Sequence, residues 1–428
     1  MSRDGRFSTA LREDARKQIE RLGTADIVVG IPCYYSDASV AHVIAQVADG
    51  LERHYPEKKA LILIADGGST DDTREVARSV PEHGFNLDLI VTIYRGVPGK
   101  GSALRAVFEA SRFLRAKAVA VFDSDLKSIS HGWIKNVLEP LFAGYDFVAP
   151  EYSRYKFDGT ITNTIAYNLT RALYGVNIRQ PIGGDFGMSL PLVRHCLDQE
   201  EVWESDIAKF GVDIWLTTTA IIGGFKLCQA KLGAKIHGEK DPAADLGPMF
   251  REVVGTIFAL MAANAPFWRR VEKTVTPPSL GEATGQPAEA FSVDHRQLVD
   301  YFKTGYRNFG GVWKNIIEPA DFRVVENLAR SRSRKRLNLP VESWVRIVYR
   351  YAAYCCTAER QRMKIIDTMI PLYNARVASL VGELENMGQE EAEAYFDSQA
   401  RVFEGMKPYL VEIWPEGKGG ASSAKGRG

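Results

Sequence analysis

The chain has 428 residues, enough for two or three domains and a large core. Lys and Arg total 54 against 53 Asp and Glu, a balance that excludes the basic footprint of a nucleic-acid binder. Five cysteines (Cys33, Cys196, Cys228, Cys355, Cys356) lack metal-ligand spacing, the N-terminus is polar, and no apolar run reaches the roughly 20 residues of a membrane span, so a cytoplasmic protein with no membrane partner is expected.

Residues 7–22 predict a charged amphipathic helix to which no chemistry is assigned. Residues 27–32 predict a parallel-type strand ended by Pro32, which has no N–H for a ladder. The next loop offers Ser36 or Asp37 as cap of a helix over 40–51. A second strand, 60–65, runs into Asp66 and a Gly/Ser/Thr loop before a helix at 74–79. An acidic residue there suits a ribose or base, although the segment alone reads first as an ordinary capped βα loop. A third strand, 87–93, precedes Gly99, Lys100 and Gly101 and a helix to residue 113. Such a turn gives close backbone approach, amide donors and one cation, the three things a diphosphate requires. Its spacing is not that of a Walker A loop. The fourth strand, 118–122, closes on Asp123, Ser124 and Asp125. Carboxylates at i and i+2 past a strand's carboxyl end can face the crevice where open α/β sheets bind ligands. They suit Mg²⁺ or Mn²⁺, with positions left for phosphate oxygens. Four β–α alternations with polar clusters after the strands predict a doubly wound parallel sheet.

Residues 145–149 predict a further strand leading to Arg154, whose fork suits a small anion and which reads equally as a surface arginine. A helix through residue 173 follows. Ile182, Gly183 and Gly184 lie in a glycine-rich, backbone-exposed loop at 180–187. Asp213 stands in an apolar helical context, where an unpartnered carboxylate is costly and a polar cavity is required. Lys235 and His237 follow a strand-like run, and an apolar packing role does not fit His237 in its polar loop. Beyond about residue 262 the β signals vanish. Residues 275–290 read as a linker, 293–413 as helices, the basic run 330–336 as a solvated helix end and 417–428 as disordered.

Taken together, Ile31 and Pro32, the run 66–73, Pro98 to Gly101, Asp123 to Asp125, Pro181 to Gly184, Gly211 to Asp213 and His237 follow the order seen in GT-A glycosyltransferases. Within that class the chain most resembles the retaining glucosyl-3-phosphoglycerate, mannosylglycerate and glucosylglycerate synthases, over about residues 26–262. Its helical C-terminal part resembles that of mannosylglycerate synthase more loosely. The Asp-x-Asp and Gly-Lys-Gly motifs are shared widely, whereas Pro-x-Gly-Gly with a distal histidine is more specific. The resemblance implies an α/β, Rossmann-like GT-A domain with a doubly wound, mostly parallel sheet at 25–262. An N-terminal helical extension (1–24), a helical C-terminal domain (263–415) and a disordered tail (416–428) complete the expected organisation.

The same resemblance implies roles. Asp125 and His237 ligate Mg²⁺ or Mn²⁺. Pro32, Asp37, Asp66, Gly99, Lys100, Asp123, Ser124 and Lys235 bind the nucleotide-sugar donor. Asp213, Ile182 and Gly183 stand at the reaction centre, and Arg154, Thr162, Gly183 and Gly184 at the acceptor. The phosphoglycerate enzymes carry Arg where this chain has Thr160, while the mannosylglycerate pattern of Arg and Thr recurs as Arg154 and Thr162. A three-carbon carboxylate needs one bidentate cation and a hydroxyl donor, and a further phosphate calls for more charge. The expectation is therefore retaining transfer of a hexose, glucose first, from a UDP- or GDP-sugar to the 2-hydroxyl of D-glycerate, yielding a compatible solute. Transfer to 3-phosphoglycerate and mannosyl transfer from GDP-mannose are alternatives. Rivals are an inverting polyprenyl-phosphate transferase, a sugar nucleotidyltransferase and a non-catalytic binding scaffold. Ser36 stands where many relatives have a carboxylate, which leaves the donor base open. The helical part suggests a homodimer.

Overall fold

The computed structural model describes residues 8–81, 86–236, 246–283, 288–331 and 337–415. His237, most of the basic run and the tail from 416 lie outside them. The chain divides into two compact units, one of residues 1–158, 178–240 and 276–291, the other of 159–177, 241–275 and 292–428.

The first unit is built on an eight-stranded sheet ordered β3-β2-β1-β4-β6-β5-β7-β8. The strands are β1 Ile27–Cys33, β2 Ala60–Asp66, β3 Leu87–Ile93 and β4 Ala118–Val121, then β5 Phe147–Ser153, β6 Phe186–Ser189, β7 Leu227–Ala234 and β8 Ser279–Leu280. The first four pair in parallel, β6 runs antiparallel to both of its neighbours, and β5, β7 and β8 are parallel again. Strands covered on both faces need continuous apolar runs, and β2 and β4 have them, buried at every residue. On one face Val29, Ile31, Ile62 and Ala120 pack with Val43, Val47, Ile134 and Leu138 from helices Val40–His54 and His131–Phe142. On the other face helix Lys100–Leu114 lies so close that a Cβ on Gly30 would sit 2.4 Å from Val107.

Two local expectations change. Pro32 does not end β1, which continues to Cys33. The Gly30 carbonyl accepts from Phe122 N–H at 3.1 Å, so Pro32, two residues on, faces the same side. There the β1–β4 register has already stopped at Gly30–Val121, and the missing N–H costs no ladder bond. The N-terminal helix begins only at Glu13. Upstream, Ala10 N–H donates to Glu109 Oε2 at 2.9 Å, which fixes residues 9–10 as a strap on helix Lys100–Leu114.

The second unit is helical: Leu246–Ala263, His295–Ile316, Pro319–Arg330, Val341–Thr357, Arg362–Leu384, Gln389–Gly405 and Lys407–Ile413 are its main elements. Residues 159–177 join it rather than the sheet, so the units do not follow a boundary near 262. Their hydrogen bonds explain this. Trp344 Nε1 donates to Thr164 O at 2.9 Å, and Arg171 Nε to Glu404 Oε1 at 2.8 Å. Val275 N–H donates to Gly175 O at 2.9 Å. Residues 276–291, which overlap nearly all of the expected linker at 275–290, instead add β8 to the edge of the sheet beside β7. Among the described residues no helix is long and apolar enough to cross a membrane.

The Gly30 approach makes a test of the packing. Gly30→Ala should lower unfolding free energy by about 1–3 kcal/mol through overpacking. Urea denaturation checks it, and unchanged stability would show that the helix can move away at no cost.

Candidate functional site

The carboxyl ends of β1, β2 and β4 are laced together. Tyr35 N–H donates to Ser69 Oγ at 2.9 Å and Ser36 N–H to Thr73 Oγ1 at 2.8 Å. The hydroxyls of Ser36 and Ser124 are 2.7 Å apart, and Ser39 Oγ donates to Ser124 O at 2.8 Å. These bonds correct the expected capping. Ser39 is the residue before helix Val40–His54, Ser36 binds Ser124, and Asp37 accepts only from its neighbour Ala38 N–H at 2.8 Å. Asp66 is wholly buried and organises its own loop: it accepts from Gly68 N–H and Ser69 N–H at 2.9 and 3.0 Å and from Ser69 Oγ at 2.5 Å.

The glycine turn differs from the expected phosphate cradle. Gly99 N–H donates to Tyr94 Oη at 2.9 Å and Gly101 N–H to Lys209 O at 3.1 Å. The short turn Asp206–Ala208 and Lys209 pack against this helix start, so closely that a Cβ on Gly101 would lie 2.3 Å from Ile207 O. What the turn contributes to the strand ends is the side chain of Lys100.

Lys100 and Lys235 flank Asp123. Lys100 Nζ donates to Asp123 Oδ1 at 2.7 Å, and more weakly to Gly184 O at 3.2 Å and Asp213 Oδ2 at 3.3 Å. Lys235 Nζ donates to Asp123 Oδ2 and Asp185 Oδ2, both at 2.9 Å, and to Gly183 O at 2.8 Å. An ammonium has three donors, so Lys235 is saturated and holds Asp123 and the glycine loop, where direct donor contact was expected. Asp185 Oδ1 accepts from Asp123 N–H at 2.8 Å, and Tyr152 Oη donates to Asp185 Oδ2. Gly184 has φ 90°, and a Cβ there would lie 2.3 Å from Asp123 Oδ2, so the position admits only glycine.

Charge follows from this arrangement. Burial alone would pull the ammonium of Lys100 down, but Asp123 and Asp213 outweigh it and hold the group well above the usual lysine range. Burial likewise acts against Lys235, which Asp123 and Asp185 keep raised. Burial opposes the charge of Asp123 too, yet the two lysines hold its carboxyl far below the usual range. Asp185 and Asp213 go the other way: burial raises both, with Asp123 adding repulsion, and the lysines compensate only in part. Asp213 Oδ1 is buried and accepts no hydrogen bond, although Lys100 Nζ lies 3.2 Å away.

The structure thus brings together Lys100, Asp123, Gly183, Gly184, Asp213 and Lys235. Ile182 is half-buried on the same loop. The Gly183 and Gly184 carbonyls are already occupied by the lysines, so this loop positions and does not present free acceptors. Arg154 donates to Asp158 Oδ2 at 3.1 Å in the first unit, whereas Thr162, buried in the π-helical turn Thr162–Ala166, belongs to the second. Asp125 follows β4 and is partly exposed. Its expected partner His237 lies outside the described residues, and among those residues no group of three metal-ligand side chains forms. The preceding residue, however, is tied to the Asp125 loop: Ile236 N–H donates to Ser128 Oγ at 2.9 Å, and Ile236 O accepts from Lys127 N–H at 2.8 Å. A hard carboxylate beside a chain segment that leads into a histidine fits a Mg²⁺- or Mn²⁺-type ion.

Sequence reasoning missed Asp185, Tyr152 and the pair Tyr34–Tyr35. The tyrosines are 63% and 52% exposed at the end of β1, with ring centroids 4.5 Å apart. Two adjacent aromatic residues in a strand-end loop were the available signal. Asp185 lies in the glycine-rich loop 180–187 and has no motif of its own.

Parallel strand ends that carry an Asp-x-Asp loop and a lysine pair around Asp123 are those of a glycosyltransferase of GT-A fold. Residues 28–186 match the family Glycosyl transferase family 2. Over 241 residues the chain is 27% identical to a glucosyl-3-phosphoglycerate synthase of Mycolicibacterium paratuberculosis, covering 52% of this chain and 67% of that protein. Over 127 residues it is 34% identical to the glycosyltransferase AglJ of Haloferax volcanii, covering 30% of this chain and only 36% of that one. A crystal structure of glucosyl-3-phosphoglycerate synthase from Mycobacterium tuberculosis with Mn²⁺, UDP and glucosyl-3-phosphoglycerate is similar at a TM-score of 0.42 and 22% identity, over 56% of this chain and 81% of that one.

The charge balance is testable by a double-mutant cycle. Lys235→Met, which leaves Asp123 and Asp185 facing one another, should cost about 3–5 kcal/mol of stability. Asp185→Asn in the same chain should recover part of that loss, so the two changes combine non-additively in urea denaturation. Strict additivity would mean the two residues are not electrostatically coupled.

Proposed function

We propose that the protein is a metal-dependent retaining hexosyltransferase whose donor is a nucleoside-diphosphate hexose, glucose first, and whose acceptor is D-glycerate. The observation that carries this is Lys100, kept charged between Asp123 and Asp213 at the strand ends of a glycosyl transferase family 2 domain. The exposed rings of Tyr34 and Tyr35 offer a stacking face for the donor base. Lys100 makes two long bonds, to Gly184 O and Asp213, that can be exchanged for a diphosphate oxygen. The exchange frees Asp213 to accept from a hydroxyl of the donor sugar.

In the transfer, the bond from the anomeric carbon to the diphosphate breaks and a bond from that carbon to the acceptor 2-hydroxyl oxygen forms. The hydroxyl proton passes to the leaving phosphate oxygen on the same face, which retains the anomeric configuration. Lys100 meets the charge that develops on that oxygen, and its burial makes the interaction stronger than in water. Asp125, with His237, would hold Mg²⁺ or Mn²⁺, which when bound supplies Lewis-acid neutralisation of the diphosphate.

Preference for an acceptor without phosphate is supported by position 160. Thr160 is buried, and its hydroxyl is bonded to Tyr373 Oη at 2.5 Å, so no cation stands there. Arg154 then serves the acceptor carboxylate. A second reading, 3-phosphoglycerate as acceptor, is favoured by the 27% identity to a glucosyl-3-phosphoglycerate synthase.

Crossing UDP- and GDP-hexoses with D-glycerate and 3-phosphoglycerate, and reading product configuration by NMR, tests the assignment. D-glycerate should have the higher kcat/KM and the product the donor's configuration. Preference for the phosphorylated acceptor would overturn the reading of Thr160, and an inverted product the mechanism. Lys100→Met should lower kcat by roughly a hundredfold or more. EDTA should abolish transfer in the wild type, with activity restored by Mn²⁺ or Mg²⁺. Persistence of full activity in either experiment would remove the corresponding role.

A further inference from the structure

We infer that Tyr152, fixed by Asp185, is the positioning residue that holds the acceptor-binding guanidinium of Arg154 in register with the donor-side charge network. The inference rests on the assignment of Arg154 to the acceptor and deepens it. Tyr152 lies in β5, is buried, and donates its hydroxyl to Asp185 Oδ2. Two cations lie over its ring: the Arg154 guanidinium carbon 5.4 Å and Lys235 Nζ 5.2 Å from the centroid. Lys235 is the ammonium that holds Asp123, so a single ring touches a cation of each half of the proposed reaction.

The chemistry reinforces the geometry. A phenol donating to a carboxylate gains electron density on oxygen and ring, which strengthens the attraction of both cations to the ring. Asp185 is well placed for this, being completely buried and accepting from Lys235 Nζ and Asp123 N–H as well. Its own position is thus set by the donor side. The chain of contacts runs from Asp123 through Lys235 and Asp185 to Tyr152 and then to Arg154. Arg154 is anchored at its other end by Asp158. An arginine side chain has four rotatable bonds, and a stacking face with one carboxylate tether removes most of that freedom before an acceptor arrives. Removing the ring should therefore weaken acceptor binding while leaving donor binding nearly intact.

The test is steady-state kinetics on the full chain with Mn²⁺, varying donor and acceptor separately, for Tyr152→Leu, Tyr152→Phe and Arg154→Ala. The acceptor is whichever of D-glycerate and 3-phosphoglycerate the wild type uses. Tyr152→Leu should raise the acceptor KM about tenfold and leave the donor KM within about twofold. Tyr152→Phe keeps the ring and loses only the bond to Asp185, so its acceptor KM should rise by about two- to threefold. This graded rescue is one that a purely structural role would not give. Should Tyr152→Leu fail to fold, Tyr152→Phe alone decides, because an acceptor KM equal to wild type overturns the role of the hydroxyl and Asp185. If Arg154→Ala raises the acceptor KM while Tyr152→Leu does not, or raises both KM values equally, the positioning role is overturned and the acceptor assignment stands. If Arg154→Ala leaves the acceptor KM unchanged, the acceptor assignment itself falls, and this inference with it.

Discussion

The first unit depends on one carboxylate held between two buried ammonium groups. Asp123 draws Lys100 from the start of one helix and Lys235 from just past β7 onto the end of β4. Taking these charges out of water is expensive, and each is tolerable only because the others are there. The cluster holds two ammoniums and three carboxylates, counting Asp185 and Asp213. It is therefore one positive charge short when every group is ionised, which is why burial can raise Asp185 and Asp213 while Asp123 stays strongly acidic. Within the cluster Asp213 Oδ1 is buried without a hydrogen bond, held only by the ion pair with Lys100 at 3.2 Å.

The same network decides how an anion can be met. In many α/β proteins the amides of a helix N-terminus bind phosphate. Here the amides of Gly99 and Gly101 are used inside the protein, by Tyr94 and Lys209. The positive charge at this corner comes from a side chain, whose reach and partners can change during a reaction, and not from fixed backbone dipoles. In the proposed transfer that distinction matters, because a side chain with long bonds to Gly184 O and Asp213 has partners to exchange, whereas an amide already bonded within the fold does not.

Strands β1, β2 and β4 were legible because strands covered on both faces must be apolar throughout, and their ends were legible because polar residues begin where the sheet stops. Asp213 stood out as a carboxylate in an apolar helix, Lys100 as the cation of a glycine turn and Asp123 as one of two carboxylates past a strand end. β6 was not, since four residues including a glycine show neither a run nor an alternation. β8 has two residues in a Pro- and Gly-rich stretch and exists only because β7 offers an open edge. The grouping of 159–177 with distant helices is a matter of tertiary packing that no local pattern encodes. Asp185 was missed because its partners, Tyr152 and Lys235, lie 33 and 50 residues away.

Position 160, in the second unit, is held by a neutral pair of hydroxyls. Thr160 is 2% exposed, its hydroxyl is committed to Tyr373, and its carbonyl accepts from Thr164 Oγ1 at 2.7 Å. Tyr373 is itself buried against Phe250, with ring centroids 4.6 Å apart. A guanidinium at this position would displace that hydroxyl pair and bring a charge into a site lined by aromatic rings, where desolvation opposes it unless an anion arrives with it. An enzyme that binds a phosphorylated acceptor has such an anion in every catalytic cycle. One whose acceptor carries only a carboxylate would face the cost of the buried cation with nothing to offset it, and the neutral pair of Thr160 and Tyr373 avoids that cost.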